Sequence, residues 1–239
     1  MAILKSDAIV LRVIDYSETS LIAWLVTREH GRVHVLAKGA RRPRSAFEGA
    51  LEPLVRGELV WYRKARKTDG LETAKEFDPT DRHTGLRRSL ERLNRGLYVG
   101  ELLRALTELE LPAEDVFDVG AETLAALATA DEPLLEAHLI RGELRLLDCA
   151  GFSPRLTLPD GSMPTQPTRF APSAGGVVDP GENAPGSVLV SPGALKTLAA
   201  LRQGTLANLG AGLRRELRQV LHGFFTYHLE RPLRMQPFL

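Results

Sequence analysis

Up to about Phe77, apolar residues recur at alternate positions in short runs: Ala8-Ile-Val-Leu-Arg-Val-Ile14, Leu21-Ile-Ala-Trp-Leu-Val26, Arg32-Val-His-Val-Leu-Ala37, Gly57-Glu-Leu-Val-Trp-Tyr62 and Leu71-Glu-Thr-Ala-Lys-Glu-Phe77. This period of two, in segments rich in β-branched and aromatic residues, predicts five short strands. The breaks carry turn chemistry at Asp15-Tyr-Ser-Glu18, Glu29-His-Gly31 and Thr68-Asp-Gly70, whose Asp-Gly pair is a hairpin signal. One long connection separates the third strand from the fourth.

The period then changes. Asp78-Pro-Thr-Asp81 offers helix N-cap residues, and Leu86, Leu90, Leu93, Leu97, Leu102, Leu106 and Leu109 follow at helical spacing until Leu111-Pro112 stops the run. Two more helices are predicted over about 114–130 and 132–150, the latter ended by Gly151. Eight prolines and six glycines between Gly151 and Pro192 exclude regular helix there. Helix resumes at Ser191-Pro192, and the last one aligns Leu213, Leu217, Val220, Leu221, Phe224 and His228 on one face before Pro232. The reading is an α+β chain: an N-terminal five-stranded barrel of OB type over 1–80, then an all-α domain over 81–239 with a Pro/Gly-rich segment at about 151–190. An SH3-like barrel satisfies the same strand pattern.

Cys149 is the one cysteine, so no intramolecular bridge is available, which fits a reducing cytoplasm; a buried structural thiol is the expected role. The N-terminal strand is interrupted by Lys5, Asp7 and Arg12, unlike a secretory signal, and no run reaches membrane-spanning length, so a cytoplasmic location is expected. The net charge of +1 conceals an asymmetry. Residues 1–80 carry 14 Lys and Arg against 11 Asp and Glu, residues 81–150 carry 8 against 14, and residues 151–239 carry 9 against 5. A polyanion would meet the first and last thirds.

No phosphate-cradling glycine loop, dinucleotide fingerprint, nucleophile elbow or His-Glu-x-x-His is present, so no catalytic residue is assigned. His30 and His34 are expected to be surface or strand histidines, His222 and His228 packed core ones. Glu72 and Lys75 offer a faint nuclease pattern, but no second acid stands at suitable spacing. The basic segments say more. Lys38, Arg41, Arg42 and Arg44 fall within seven residues after the third strand, and Arg63, Lys64, Arg66 and Lys67 follow Trp61-Tyr62 at the end of the fourth. Cations beside flat rings suit single-stranded nucleic acid, with phosphates neutralised and bases stacked. Neighbours on a strand face opposite ways, so at most one of Trp61 and Tyr62 can stack while the other packs inward, and Tyr62 is the better candidate. The plainer reading is that basic tips keep sheet edges soluble.

Several stretches, in this order, resemble the RecO family of bacterial DNA-repair and recombination mediators: Tyr16-Ser-Glu18, Thr27-Arg-Glu-His-Gly31, Ala37-Lys-Gly-Ala-Arg-Arg42 with Ser45, Pro53, Arg169-Phe-Ala-Pro-Ser-Ala-Gly-Gly176, Ser191-Pro-Gly193 and Tyr227. The resemblance spans nearly the whole chain. It implies an OB domain, a helical domain with a small ribbon-like insertion, and a non-enzymatic activity. That activity is binding of single- and double-stranded DNA, annealing of complementary strands, and help in loading the recombinase onto DNA covered by single-strand-binding protein. Implied partners are RecR and the C-terminal tail of single-strand-binding protein. An acidic, apolar-ended tail needs cations beside an apolar pocket, for which Arg88 and Arg92, or Arg141 and Arg145, are candidates. Many relatives carry two Cys-x-x-Cys zinc pairs in the insertion. This insertion has no cysteine, and Asp160, Asp179 and Glu182 cannot stand in for four thiolates, so no metal or other cofactor is expected. Phe152, Phe170 and Val177 are expected to hold it by packing. The rival functions are an OB-fold adaptor that binds only protein and a metal-dependent nuclease using Glu72.

Overall fold

A computed structural model describes residues 2–47, 49–63, 71–178 and 184–239. The chain gathers into two compact units, one running to Ala128 and including Phe238 and Leu239, the other from Thr129 to Pro237.

In the first unit, five strands close a barrel in the order β1-β2-β3-β5-β4: β1 (Ala2–Asp15), β2 (Leu21–Thr27), β3 (Gly31–Ala37), β4 (Arg56–Arg63) and β5 (Glu72–Asp81). Closure depends on the length of β1, whose first half pairs with β4 and whose second half pairs with β2. A register shift between Val10 and Arg12 bends it between the two partners. A short parallel pairing, Val35 with Glu72 and Leu36 with Thr73, joins β3 to β5. This is the topology of the OB barrel, as the strand pattern predicts. Alternation decides what faces inward: Val33, Val35 and Ala37 are buried on β3 while Arg32, His34 and Leu36 face out. The expected Asp69-Gly70 turn lies outside the described residues.

The first helical region differs from its sequence reading. The strand β5 continues through Asp81, whose Oδ1 accepts a hydrogen bond from the His83 N–H at 2.7 Å instead of capping a helix. After a short 3-10 turn, α1 (Leu90–Leu106) is capped by Ser89, whose hydroxyl accepts from the Arg92 N–H. The leucine stripe is only partly its buried face: Leu102 is buried and Leu93, Leu97 and Leu106 are half-buried, whereas Leu90 is exposed and Leu109 lies exposed beyond the helix. Burial falls on Arg92, Arg95, Gly96, Tyr98, Val99, Gly100, Leu102 and Leu103. Gly96 and Gly100 explain why, since a Cβ at either would press to within about 3 Å of Leu54. Leu54 thus packs onto helix backbone. The helix α2 (Glu114–Thr129) joins this unit through Asp118, which accepts two 2.9 Å hydrogen bonds from Arg28.

In the second unit, α3 (Leu135–Cys149), α4 (Pro192–Arg202) and α5 (Ala211–His228) frame a three-stranded sheet in the order β7-β6-β8, comprising β6 (Thr168–Ala171), β7 (Gly176–Val177) and β8 (Val188–Val190). Ser191 caps α4 as predicted, accepting from the Ala194 N–H. Phe170 and Val177 are fully buried, but Phe152 is 36% exposed and lies against the ring of His228 instead, at a centroid distance of 4.6 Å. Arg155 laces the module together. Its side chain donates to the carbonyls of Val177 and Ala174, and its backbone bonds Gly175 and Val177. Two further expectations fail on exposure. Cys149 and His222 lie on the outward sides of the last turn of α3 and of α5, so neither is a core residue. Among the described residues no helix is long and apolar enough to cross a membrane.

Candidate nucleic-acid interface

The connection from β3 to β4 both seals one end of the barrel and displays cations. Ala40, Phe47, Ala50, Leu51 and Val55 are buried in the barrel core, so the segment is pinned from within. Backbone bonds fix its start, with the Arg41 N–H donating to Thr19 O and the Gly39 N–H to Ser20 Oγ. A chain tied down by its apolar residues must turn its long polar ones outward, and Lys38, Arg41, Arg42 and Arg44 are all exposed. Arg41 shares its charge with Asp15 at 3.2 Å.

At the end of β4, Trp61 is 1% exposed and Tyr62 half-buried on the outer side, the division strand alternation predicts. Arg63 lies 4.0 Å from Glu110 and beside His30. Burial lowers the His30 pKa, and the Arg63 charge lowers it further. Lys64, Arg66 and Lys67, expected to extend this cluster, lie outside the described residues, as do Asp179 and Glu182.

Lys38 follows the last residue of β3, and Arg63 is the last residue of β4. The register runs from Tyr62 across Thr73 of β5 to Leu36, so β5 lies between the ends of β4 and β3. On the other side of β3 stands β2, with Ile22 beside Leu36 and Trp24 beside His34 in the ladder. The Trp24 and His34 rings stack at 4.6 Å and 19°. The guanidinium carbons of Arg12 and Arg104 lie 5.2 Å and 5.1 Å from the Trp24 ring centre. Sequence reasoning passed over this group. The available signal was period two itself, since a β2 with Ala23 and Leu25 inward must turn Trp24 outward.

The arginines considered for an acidic tail fall in different surroundings. Arg88 is exposed on the 3-10 turn, while Arg92 is 6% exposed and donates from Nη1 to Leu127 O. Arg141 and Arg145 are half-buried on α3, one turn apart. Glu72, the acid a nuclease would need, is buried in the barrel. Among the described residues no group of three or more His, Cys, Asp or Glu is placed to hold a metal ion.

Comparison with known proteins covers both halves. Residues 1–82 match the family description "Recombination protein O N terminal" and residues 87–237 match "Recombination protein O C terminal". Proteins named DNA repair protein RecO align along nearly the whole chain. That of Pelotomaculum thermopropionicum is 34% identical over 249 residues, covering 100% of this chain and 94% of its own length. Those of Anaeromyxobacter sp. (strain Fw109-5) and Myxococcus xanthus are each 34% identical, covering 99% and 98% of this chain and 95% of their own lengths.

Proposed function

The chain belongs to the RecO family, and from that premise we propose that it is a non-enzymatic DNA-repair and recombination mediator whose barrel binds DNA through its exposed cations. In this reading Lys38, Arg41, Arg42 and Arg44 neutralise phosphates after β3, and Arg63, with Lys64, Arg66 and Lys67 that follow it in sequence, does so after β4. Tyr62 is available to stack. Phosphate contacts of this kind carry no sequence information, which suits a mediator acting wherever DNA is damaged. Both single- and double-stranded DNA present the phosphates these cations need. Holding two single strands against one basic surface reduces their mutual repulsion, the condition for annealing complementary strands.

The proposed protein partners are RecR and the tail of single-strand-binding protein, the latter at Arg141 and Arg145 or at Arg88. Contact with that tail would localise the chain on coated DNA and assist recombinase loading. The observation that carries the reading is the β3–β4 connection, whose apolar residues are buried in the barrel core and whose four cations face solvent. It is tested by binding and annealing of labelled complementary oligonucleotides, with the tail peptide added in a second series. Binding and annealing that both weaken as salt rises support it. A chain that bound RecR and the peptide but shifted no oligonucleotide at low salt would be the protein-only adaptor instead.

A further inference from the structure

The interior of the barrel does not require Trp24. Ala23, Leu25, Val33 and Val35 fill the core from β2 and β3, and Trp24 and His34 stand on the other side of the same strands, each partly exposed. Their rings lie nearly parallel, 4.6 Å apart. Arg12 from β1 and Arg104 from α1 bring guanidinium groups to 5.2 Å and 5.1 Å of the Trp24 ring. Neither arginine forms an ion pair among the described residues, and both cations converge on the outward aromatic pair.

We propose that Trp24 and His34 form a base-stacking site for single-stranded nucleic acid, with Arg12 and Arg104 taking the phosphates beside the stacked base. The proposal rests on the DNA-binding reading above and moves the base contact from the end of β4 to the middle of the β2–β3 face. Three features converge on this ligand. A nucleobase offers a flat π-face of the kind that stacks on indole whatever its identity. A guanidinium lying on a ring keeps its N–H donors at the edge, where phosphate oxygens can accept from them. The pair also lies near the basic connection, His34 standing on the strand that leads into Lys38, so a backbone neutralised there can pass the pair.

The test compares an oligothymidylate long enough to span the barrel with an abasic oligonucleotide of equal length, which keeps the phosphates and removes the rings. Trp24→Phe keeps a flat ring, whereas Trp24→Leu keeps apolar bulk without one. Wild type and Trp24→Phe are expected to bind the oligothymidylate about tenfold more tightly than the abasic strand, the usual margin for one or two stacked bases. Trp24→Leu is expected to lose that margin, its affinity for the oligothymidylate falling to that of the same variant for the abasic strand. The oligothymidylate should also quench wild-type tryptophan fluorescence, leaving the Trp24→Phe signal, which comes from buried Trp61, unchanged. A Trp24→Leu variant that keeps the margin, or wild-type fluorescence unmoved at saturation, overturns the stacking site. Should Trp24→Leu fail to fold, the quenching comparison decides by itself. Wild type that binds neither strand at low salt overturns the DNA-binding reading, a separate result.

Discussion

Arg92, on α1, donates a 2.8 Å hydrogen bond from Nη1 to the carbonyl of Leu127, in the last turn of α2, and only 6% of it is exposed. The final carbonyls of a helix lack intrahelical donors, and here a guanidinium supplies one while its charge meets the negative end of the helix dipole. Arg92→Ala therefore leaves a buried carbonyl unsatisfied and is expected to cost about 2–3 kcal/mol in urea unfolding. Arg88→Ala, at an exposed position, is expected to fall within about 0.5 kcal/mol of wild type.

Arg218 of α5 supports the second unit in a similar way. It forks onto Glu143, Nη1 to Oε1 at 3.1 Å and Nη2 to Oε2 at 2.5 Å, while Nε lies 2.5 Å from Glu136 Oε1. Glu143 is 1% exposed, so removing it takes two buried acceptors from the guanidinium while Glu136 still balances its charge. Glu143→Ala is expected to destabilise the fold by about 1.5–3 kcal/mol and Glu143→Gln by less, measured by denaturant unfolding.

The sequence makes the barrel legible and leaves the docking of α1 opaque, for different reasons. Strand alternation is a property of one segment, so Arg32, His34 and Leu36 on one side and Val33 and Val35 on the other can be read without knowing any partner. Burial of a helix face depends on what arrives to cover it. Arg92 and Arg95 look like surface cations, and Leu90 and Leu109 look like core, until Leu54 and Leu86 are seen to pack at Gly96. Cys149 looks like core for the same reason, because nothing in the sequence of α3 says that its last turn stays open. The site was half legible. Four cations in seven residues stand out locally, whereas Arg12, Trp24, His34 and Arg104 come together only through strand register and helix position. Arg63 and the 38–44 segment look alike in sequence, yet one ends β4 as a half-buried strand residue and the other is an exposed connection after β3.

The small sheet of the second unit is expected to hold without metal, because Arg155 and the buried Phe170, Val177 and Val178 supply its organisation. Adding EDTA or zinc should leave the melting temperature unchanged. Arg155→Ala should speed hydrogen exchange at Val177, whose amide bonds the Arg155 carbonyl, while amides within α5 keep their protection. A melting temperature that fell on chelation would count against a metal-free module.

Acidification should weaken the fold through its histidines. Burial lowers the pKa of His30, His138 and His228, with the charges of Arg63 and Arg141 adding to the effect at the first two. The unfolded chain then binds more protons than the folded one as pH falls through the ordinary imidazole value of about 6.5. The stability these groups contribute is complete above that value and is lost progressively below it. Arg63→Ala should raise the His30 pKa, followed by NMR titration of its ring, and should leave His228 where it is.

The central claim is that the cations displayed by the β3–β4 connection neutralise a nucleic-acid backbone. The most direct measurement is a salt titration of single-stranded DNA binding for wild type and for the variant with Lys38, Arg41, Arg42 and Arg44 replaced by alanine. Each lost phosphate contact removes about 0.7 from the log-log slope, so the variant should bind more weakly with a slope shallower by about 2–3, Arg41 counting least because of Asp15. A folded variant whose affinity and slope match those of wild type would contradict the account.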